Sequence, residues 1–314
     1  MPKKLKLLSS ILLAALIVPS FSASAFGFFS DSRRGTSAAQ FLRMGASARA
    51  SAMGGASVAV DGYADMIYYN PAGLATADLK EITFMHTVWF EGISYNWLSF
   101  VLPQNRGVWG MAVQYVSYGS LFGADNQGNP TGSFSPSDIA VYLSYADYIG
   151  RLSYGVNLKY IRSQIIETAQ TLALDLGLQY MINYRAQVGF VLQNIGPGLK
   201  FNYERDPLPF TIAFGGFYAI TDYLFATLDF RIPRDNNAYF AAGAQYFIDV
   251  SPDVGIFLRA GLDGSRTDAG GFSSINLGFG LDYRLFNFSY AFAPYGNLGS
   301  AHKIGFSLRF GEAR

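Results

Sequence analysis

The chain has 314 residues, no cysteine and a formal net charge of +1, from 23 basic and 22 acidic side chains. A balance this close to neutral removes the electrostatic footprint of a nucleic-acid binder, and the lack of thiols excludes both a disulfide framework and a lipid-bearing cysteine. Half of the residues are apolar and 16% are aromatic, yet beyond the N-terminus no stretch reaches the ~20 uninterrupted apolar residues of a membrane helix.

Residues 1–25 read as a secretion signal. Lys3, Lys4 and Lys6 form the positive start, Leu7 to Val18 the apolar core, and Ala23-Ser24-Ala25 a small-residue cleavage site, so the mature chain is expected to begin near Phe26. A retained membrane anchor is the competing reading, and the apolar run is short for one.

Residues 26–79 differ in pattern from the rest of the chain. They are rich in Ala, Gly and Ser, with a run from Phe41 to Val60 and a second piece, Asp65-Met66-Ile67-Tyr68-Tyr69-Asn70-Pro71-Ala72-Gly73-Leu74-Ala75. Small residues permit close backbone approach, which suits a segment packed inside a narrow lumen. Asp65 is placed to cap one helical turn that ends before Pro71. Met53, Tyr68, Tyr69 and Leu74 are too apolar for a solvated tail, so a partly helical hatch is expected here.

From residue 80 to 314 one segment type repeats: about ten residues of apolar/polar alternation, then a turn. Thr171-Leu172-Ala173-Leu174-Asp175-Leu176-Gly177-Leu178-Gln179-Tyr180 is a clear copy. Alternation at period two gives each strand one oily and one wet face. Fourteen strands are expected, starting near Lys80, Ile93, Gly107, Ser137, Gly150, Thr168, Tyr184, Pro207, Asp222, Asn236, Asp253, Phe272, Leu285 and Ser300. Every second connection is tight, as at Gln104-Asn105-Arg106, Ser251-Pro252 and Arg284-Leu285, while the others include Ser120 to Pro136 and Gly196 to Asp206. Loops sorted by length onto two sides, with an even strand count, indicate a 14-stranded antiparallel transmembrane β-barrel in a bacterial outer membrane, lipid being its first partner. The connections near Glu91 and Ile165 to Glu167 are shorter than that pattern asks.

By parity the wet face carries Asn157, Lys159, Asp175, Asp229, Arg231, Arg259, Asp263, Asn276, Asp282, Arg284, Lys303 and Arg309. Acids and bases nearly balance, which suggests paired networks, either filling the lumen or tuning selectivity. Arg49 is expected to pair with Asp175, Asp229 or Asp282. His86 and His302 lie in different strands without Cys or clustered acids, and no nucleophile elbow, phosphate loop or dinucleotide fingerprint occurs. No enzyme, metal site or cofactor is expected.

The run "ARASAMGGASVAV", a short spacer and "YYNPAGLA" resemble the N-terminal signature of PorV/PorQ-family outer-membrane proteins, relatives of the FadL-type fatty-acid transporters. The resemblance implies a fourteen-stranded barrel with a hatch in its lumen, the hatch motif being Arg49, Gly54, Gly55, Asn70, Pro71, Ala72 and Gly73. It further implies a role as an accessory of protein export, with an exported protein as partner. The FadL side of the resemblance implies the alternative, passage of hydrophobic small molecules such as fatty acids, with inward Phe217, Phe225 and Phe257 as candidate lining.

Overall fold

The computed structural model describes residues 34–270 and 272–313. The expected signal segment, its cleavage site and residues 26–33 lie outside the described residues. Fourteen antiparallel strands close into one barrel: β1 Lys80–Val88, β2 Ser94–Pro103, β3 Val108–Ser117, β4 Ser137–Ile149, β5 Leu152–Gln164, β6 Thr168–Asn183, β7 Ala186–Ile195, β8 Thr211–Ala219, β9 Leu224–Pro233, β10 Tyr239–Ser251, β11 Val254–Asp263, β12 Ile275–Tyr283, β13 Phe286–Pro294 and β14 Ser300–Phe310. Each strand pairs with its neighbour in sequence, and β1 closes on β14 from Lys80↔Phe310 to Val88↔His302. Closure leaves no unpaired sheet edge, which is the condition for strands to cross lipid.

The alternation fixes which way each face points. On β6, Leu172, Leu174, Leu176 and Leu178 stand on the outside, while Ala173, Asp175 and Gln179 are buried within. Large apolar side chains are exposed around the outer surface, among them Phe84, Leu98, Met111, Leu158, Leu228 and Phe279. A folded domain in water does not present such a belt; lipid tails solvate it. Trp109, Tyr148, Tyr180, Tyr218, Tyr246 and Tyr283 are exposed near the short-turn ends of their strands, at the depth where amphipathic rings meet headgroups.

The two rims differ as the loop lengths require. One carries tight turns such as Gly150-Arg151, Tyr184-Arg185 and Arg284-Leu285. On the other, two long connections carry hairpins of their own, Leu121–Ala124 with Pro130–Phe134 and Leu199–Lys200 with Arg205–Asp206. Leu199 and Leu208 of the second loop are buried, so that loop folds over the barrel mouth.

Inside the barrel runs the segment before β1. A 3-10 turn at Gln40–Arg43 is followed by helix α1 at Ala48–Ala52, helix α2 at Met66–Tyr69 and a 3-10 turn at Pro71–Leu74. Ser47 caps α1 by accepting the Ala50 N–H. α2 stops at Asn70, whose extended backbone leads into Pro71, as a residue before proline requires. Asp65 holds the N-cap position of α2 without capping it through its side chain; its carboxylate is engaged elsewhere.

Candidate functional site: the plugged lumen

The inner segment, or plug, has few regular hydrogen bonds of its own, so its backbone groups need partners in a space that excludes water. The wet faces of the strands supply them. Gln179 Nε2 donates to the carbonyls of Val58 and Val60, at 2.9 and 2.8 Å. Asn157 Nδ2 donates to Ile67 O at 2.7 Å, Gln193 Nε2 to Tyr68 O at 2.7 Å, and Asn276 Nδ2 to Ser51 O at 2.6 Å. Asp229, fully buried, accepts the N–H of Ser57 at 3.0 Å and of Val58 at 3.2 Å, and is paired by Arg231 at 2.9 Å. Arg231 also donates to Gly55 O at 2.7 Å.

The plug docks where the wall has no side chains. Three cross-strand pairs consist of two glycines each: Gly155↔Gly177, Gly189↔Gly215 and Gly243↔Gly261. A Cβ would lie 2.4 Å from Pro71 C at Gly155, 2.3 Å from Val58 O at Gly189 and 2.1 Å from Met53 C at Gly261. No residue larger than glycine fits at these contacts. These glycines sit at the small, inward positions of ordinary alternation, so in the sequence they read as strand glycines. The signal that could have found them is pairing: inward glycines opposite one another in the register.

The motif residues lie at these docking points. Asn70 Nδ2 donates to Val58 O at 2.7 Å, and its Oδ1 accepts the Ala72 N–H at 3.2 Å. Pro71 and Ala72 rest on Gly155 and Gly177. Gly54 has φ +69 and a Cβ there would meet Leu262 O at 2.2 Å, so both its backbone and its surroundings demand glycine; Gly73 faces Val60 O in the same way at 2.7 Å. Gly55, at φ +80, has open space beside it.

Arg49 corrects one expectation. Its partner is Asp65, bound through Nη2 at 2.9 and 3.0 Å, and not a wall carboxylate. The plug thus neutralises its own buried charge across two of its own turns, and the guanidinium also covers the Tyr63 ring at 4.0 Å. Burial works against the Arg49 cation, but the Asp65 carboxylate beside it outweighs that and holds its pKa above the ordinary value. Asp61, in the same segment, is pushed above the usual carboxylate range by burial.

The other expected wall residues fall into three groups. Asp175 pairs with Lys159 at 2.6 Å and accepts from Asn157 at 2.9 Å. Arg259 donates to Gln245 at 2.7 Å and Ser289 at 3.2 Å, Asp282 accepts from Asn287, and Arg309 pairs with Glu81 at 3.4 Å. Arg284 departs from the inward set: it sits at φ 56 in the tight turn after β12, exposed and paired with Asp253 at 3.4 Å. Parity fails there because the strand has already ended.

The plug divides the lumen. On the long-loop side a cavity of about 280 Å³ is lined by residues that include Trp89, Arg266, Tyr295 and Lys303. On the short-turn side lie a cavity of about 80 Å³ beside Arg49, Phe257 and Arg259 and one of about 350 Å³ beside Asp61, Gln179 and Gln187. Beneath the plug, four adjacent strands turn phenylalanines inward: Phe217 and Phe225, 5.0 Å apart, then Phe247 and Phe257, 4.9 Å apart. All four are half-buried, and Phe217 packs against the core that includes the plug.

A family model described as an uncharacterised protein family (UPF0164) matches residues 21–202. Among solved structures, the barrel is similar to the toluene transporter TbuX of Ralstonia pickettii, at 13% identity over 84% of this chain and 98% of that one, with a TM-score of 0.60. It is also similar to the toluene transporter TodX of Pseudomonas putida, at 12% identity over 84% and 97%, with a TM-score of 0.57. A FadL homologue of Pseudomonas aeruginosa aligns at 9% identity over 84% and 98%, with a TM-score of 0.54. No curated protein matches. At these identities the likeness is one of fold, and it lies on the FadL side of the relationship expected from the N-terminal motif.

Proposed function

We propose that this chain, which belongs to the uncharacterised protein family UPF0164, is an outer-membrane channel for hydrophobic small molecules. The observation that carries this reading is the inward phenylalanine wall of β8 to β11, Phe217, Phe225, Phe247 and Phe257. The lumen of a barrel that passes water and ions is polar. Here adjoining strands spend inward positions on half-buried apolar rings, which lowers the free energy of an apolar guest by ~25 cal/mol per Å² it removes from water. Two of the similar structures are toluene transporters, which fits that chemistry.

The export-accessory reading rests on the N-terminal motif alone, whose Asn70, Ala72 and Arg49 are buried inside the barrel. The plug packs directly on the wall at the paired glycines, and on this reading passage requires the plug to shift against the wall.

The test is uptake of the apolar fluorophore N-phenyl-1-naphthylamine by cells whose lipopolysaccharide leaflet otherwise keeps it out. Cells carrying the barrel should take it up faster than cells without it. Phe225→Asn with Phe257→Asn should remove most of the gain while leaving the barrel folded, as judged by heat-modifiable migration on gels. Unchanged uptake by that double variant would contradict the proposed route.

A further inference from the structure

The long-loop cavity holds an unbalanced charge. Three of its cations are individually neutralised: Arg43 by Asp235 at 3.0 Å, Arg231 by Asp229 at 2.9 Å and Arg266 by Asp263 at 3.1 Å. The fourth, Lys303, has no carboxylate in contact among the described residues. It is 4% exposed and lines the same cavity, and its Nζ donates only to Gly45 O at 3.2 Å and Ser51 Oγ at 2.9 Å. A buried ammonium without a counter-charge is costly unless something supplies one.

Three buried polar atoms on residues that line the cavity have neither a hydrogen bond nor an ion pair among the described residues: Trp89 Nε1 and Arg231 Nε, which can only donate, and Tyr69 Oη, which can do either. Lys303 and Trp89 are near one another in the sheet, since Val88 pairs with His302 across β1 and β14. Trp89 and Tyr295 meet at 5.2 Å, with the Arg266 guanidinium 4.6 Å over the Tyr295 ring. The cavity therefore combines a buried amine with no carboxylate in contact among the described residues, neighbouring side chains with unpartnered donors, and aromatic rings. Its floor is the plug at Gly45, Ser51 and Tyr69, and a space of about 280 Å³ above that floor is the size of a compact guest.

We infer that this vestibule is a recognition site for small aromatic monocarboxylates, with the carboxylate on Lys303 and the ring against Trp89 and Tyr295. The inference deepens the channel reading and rests on it, because it names the guest selected at the channel mouth.

The full-length barrel in detergent micelles is titrated with benzoate, its neutral isostere benzamide, and acetate, following tryptophan fluorescence and ligand-observed NMR saturation transfer. Benzoate should bind about ten- to a hundredfold more tightly than benzamide, the range expected for a charge-assisted contact in a dry site, and more tightly than acetate. Lys303→Gln, which keeps a donor toward Gly45 and Ser51, should abolish the preference for benzoate over benzamide. Trp89→Leu should weaken both aromatic ligands. Equal binding of benzoate and benzamide to the wild type overturns the inference, as does a preference that survives in Lys303→Gln. Acetate binding as tightly as benzoate also overturns it, since the aromatic faces would then play no part. Uptake of N-phenyl-1-naphthylamine by Lys303→Gln separates the two readings: uptake retained while benzoate preference is lost supports the site within a working channel. Benzoate preference in a wild type that conducts nothing overturns the role at a channel mouth.

Discussion

Asp229 shows how one side chain can hold a plug in a barrel. Its carboxylate, which has no solvent exposure, receives two plug amides, Ser57 and Val58, and the Arg231 guanidinium. Removing one member leaves the others unpaired in a medium that does not screen them, so Asp229→Ala should cost about 3–5 kcal/mol of stability. Urea unfolding of the barrel in vesicles, followed by tryptophan fluorescence, measures this; a variant as stable as wild type would refute the role. Parity in the sequence places Asp229 on the wet face, but nothing in the sequence says that its partners are backbone amides more than 170 residues earlier. Arg49 is the opposite case. Its charge alone implies a carboxylate partner, yet Asp65, 16 residues on in the same aperiodic segment, follows no spacing rule that would single it out.

At the scale of elements, the strands are legible because side-chain alternation and turn chemistry repeat the same message fourteen times. Starts read from the sequence fall on the observed ones at Lys80, Ser137, Thr168 and Ser300, and differ most at β8, which begins at Thr211 and not at Pro207. The stretch Pro207-Leu208-Pro209 explains that difference, since two prolines withhold the donors that a ladder needs. The plug is less legible, because its conformation is set by the cavity it fills and not by any period of its own. The glycine pairs are where wall and plug meet, and they yield a sharp test. Gly261→Val puts a side chain where Met53 and Gly54 pass, an overpacking cost of about 1–3 kcal/mol, and it should loosen the plug from β11. Limited trypsin digestion reads this directly: cleavage after Arg49, buried in the wild type, should become rapid in the variant. Equal protection of Arg49 in both proteins would show that the glycine contact does not hold the plug.

At the scale of the whole molecule, the proposed passage of an apolar guest requires the tethered plug to move. The chain contains no cysteine, so an introduced pair reports without interference. Ala48 of α1 and Gly305 of β14 are suited to it: a Cβ built at Gly305 lies 3.5 Å from that of Ala48, within the span of about 3.5–4.5 Å that a disulfide bridges. The most direct measurement is N-phenyl-1-naphthylamine uptake by cells carrying the barrel with Ala48→Cys and Gly305→Cys, compared before and after reduction. A moving plug predicts slow uptake while it is locked to the wall and recovery to the wild-type rate on reduction. Equal uptake in the locked and reduced states, or a wild type no faster than cells lacking the barrel, would contradict it.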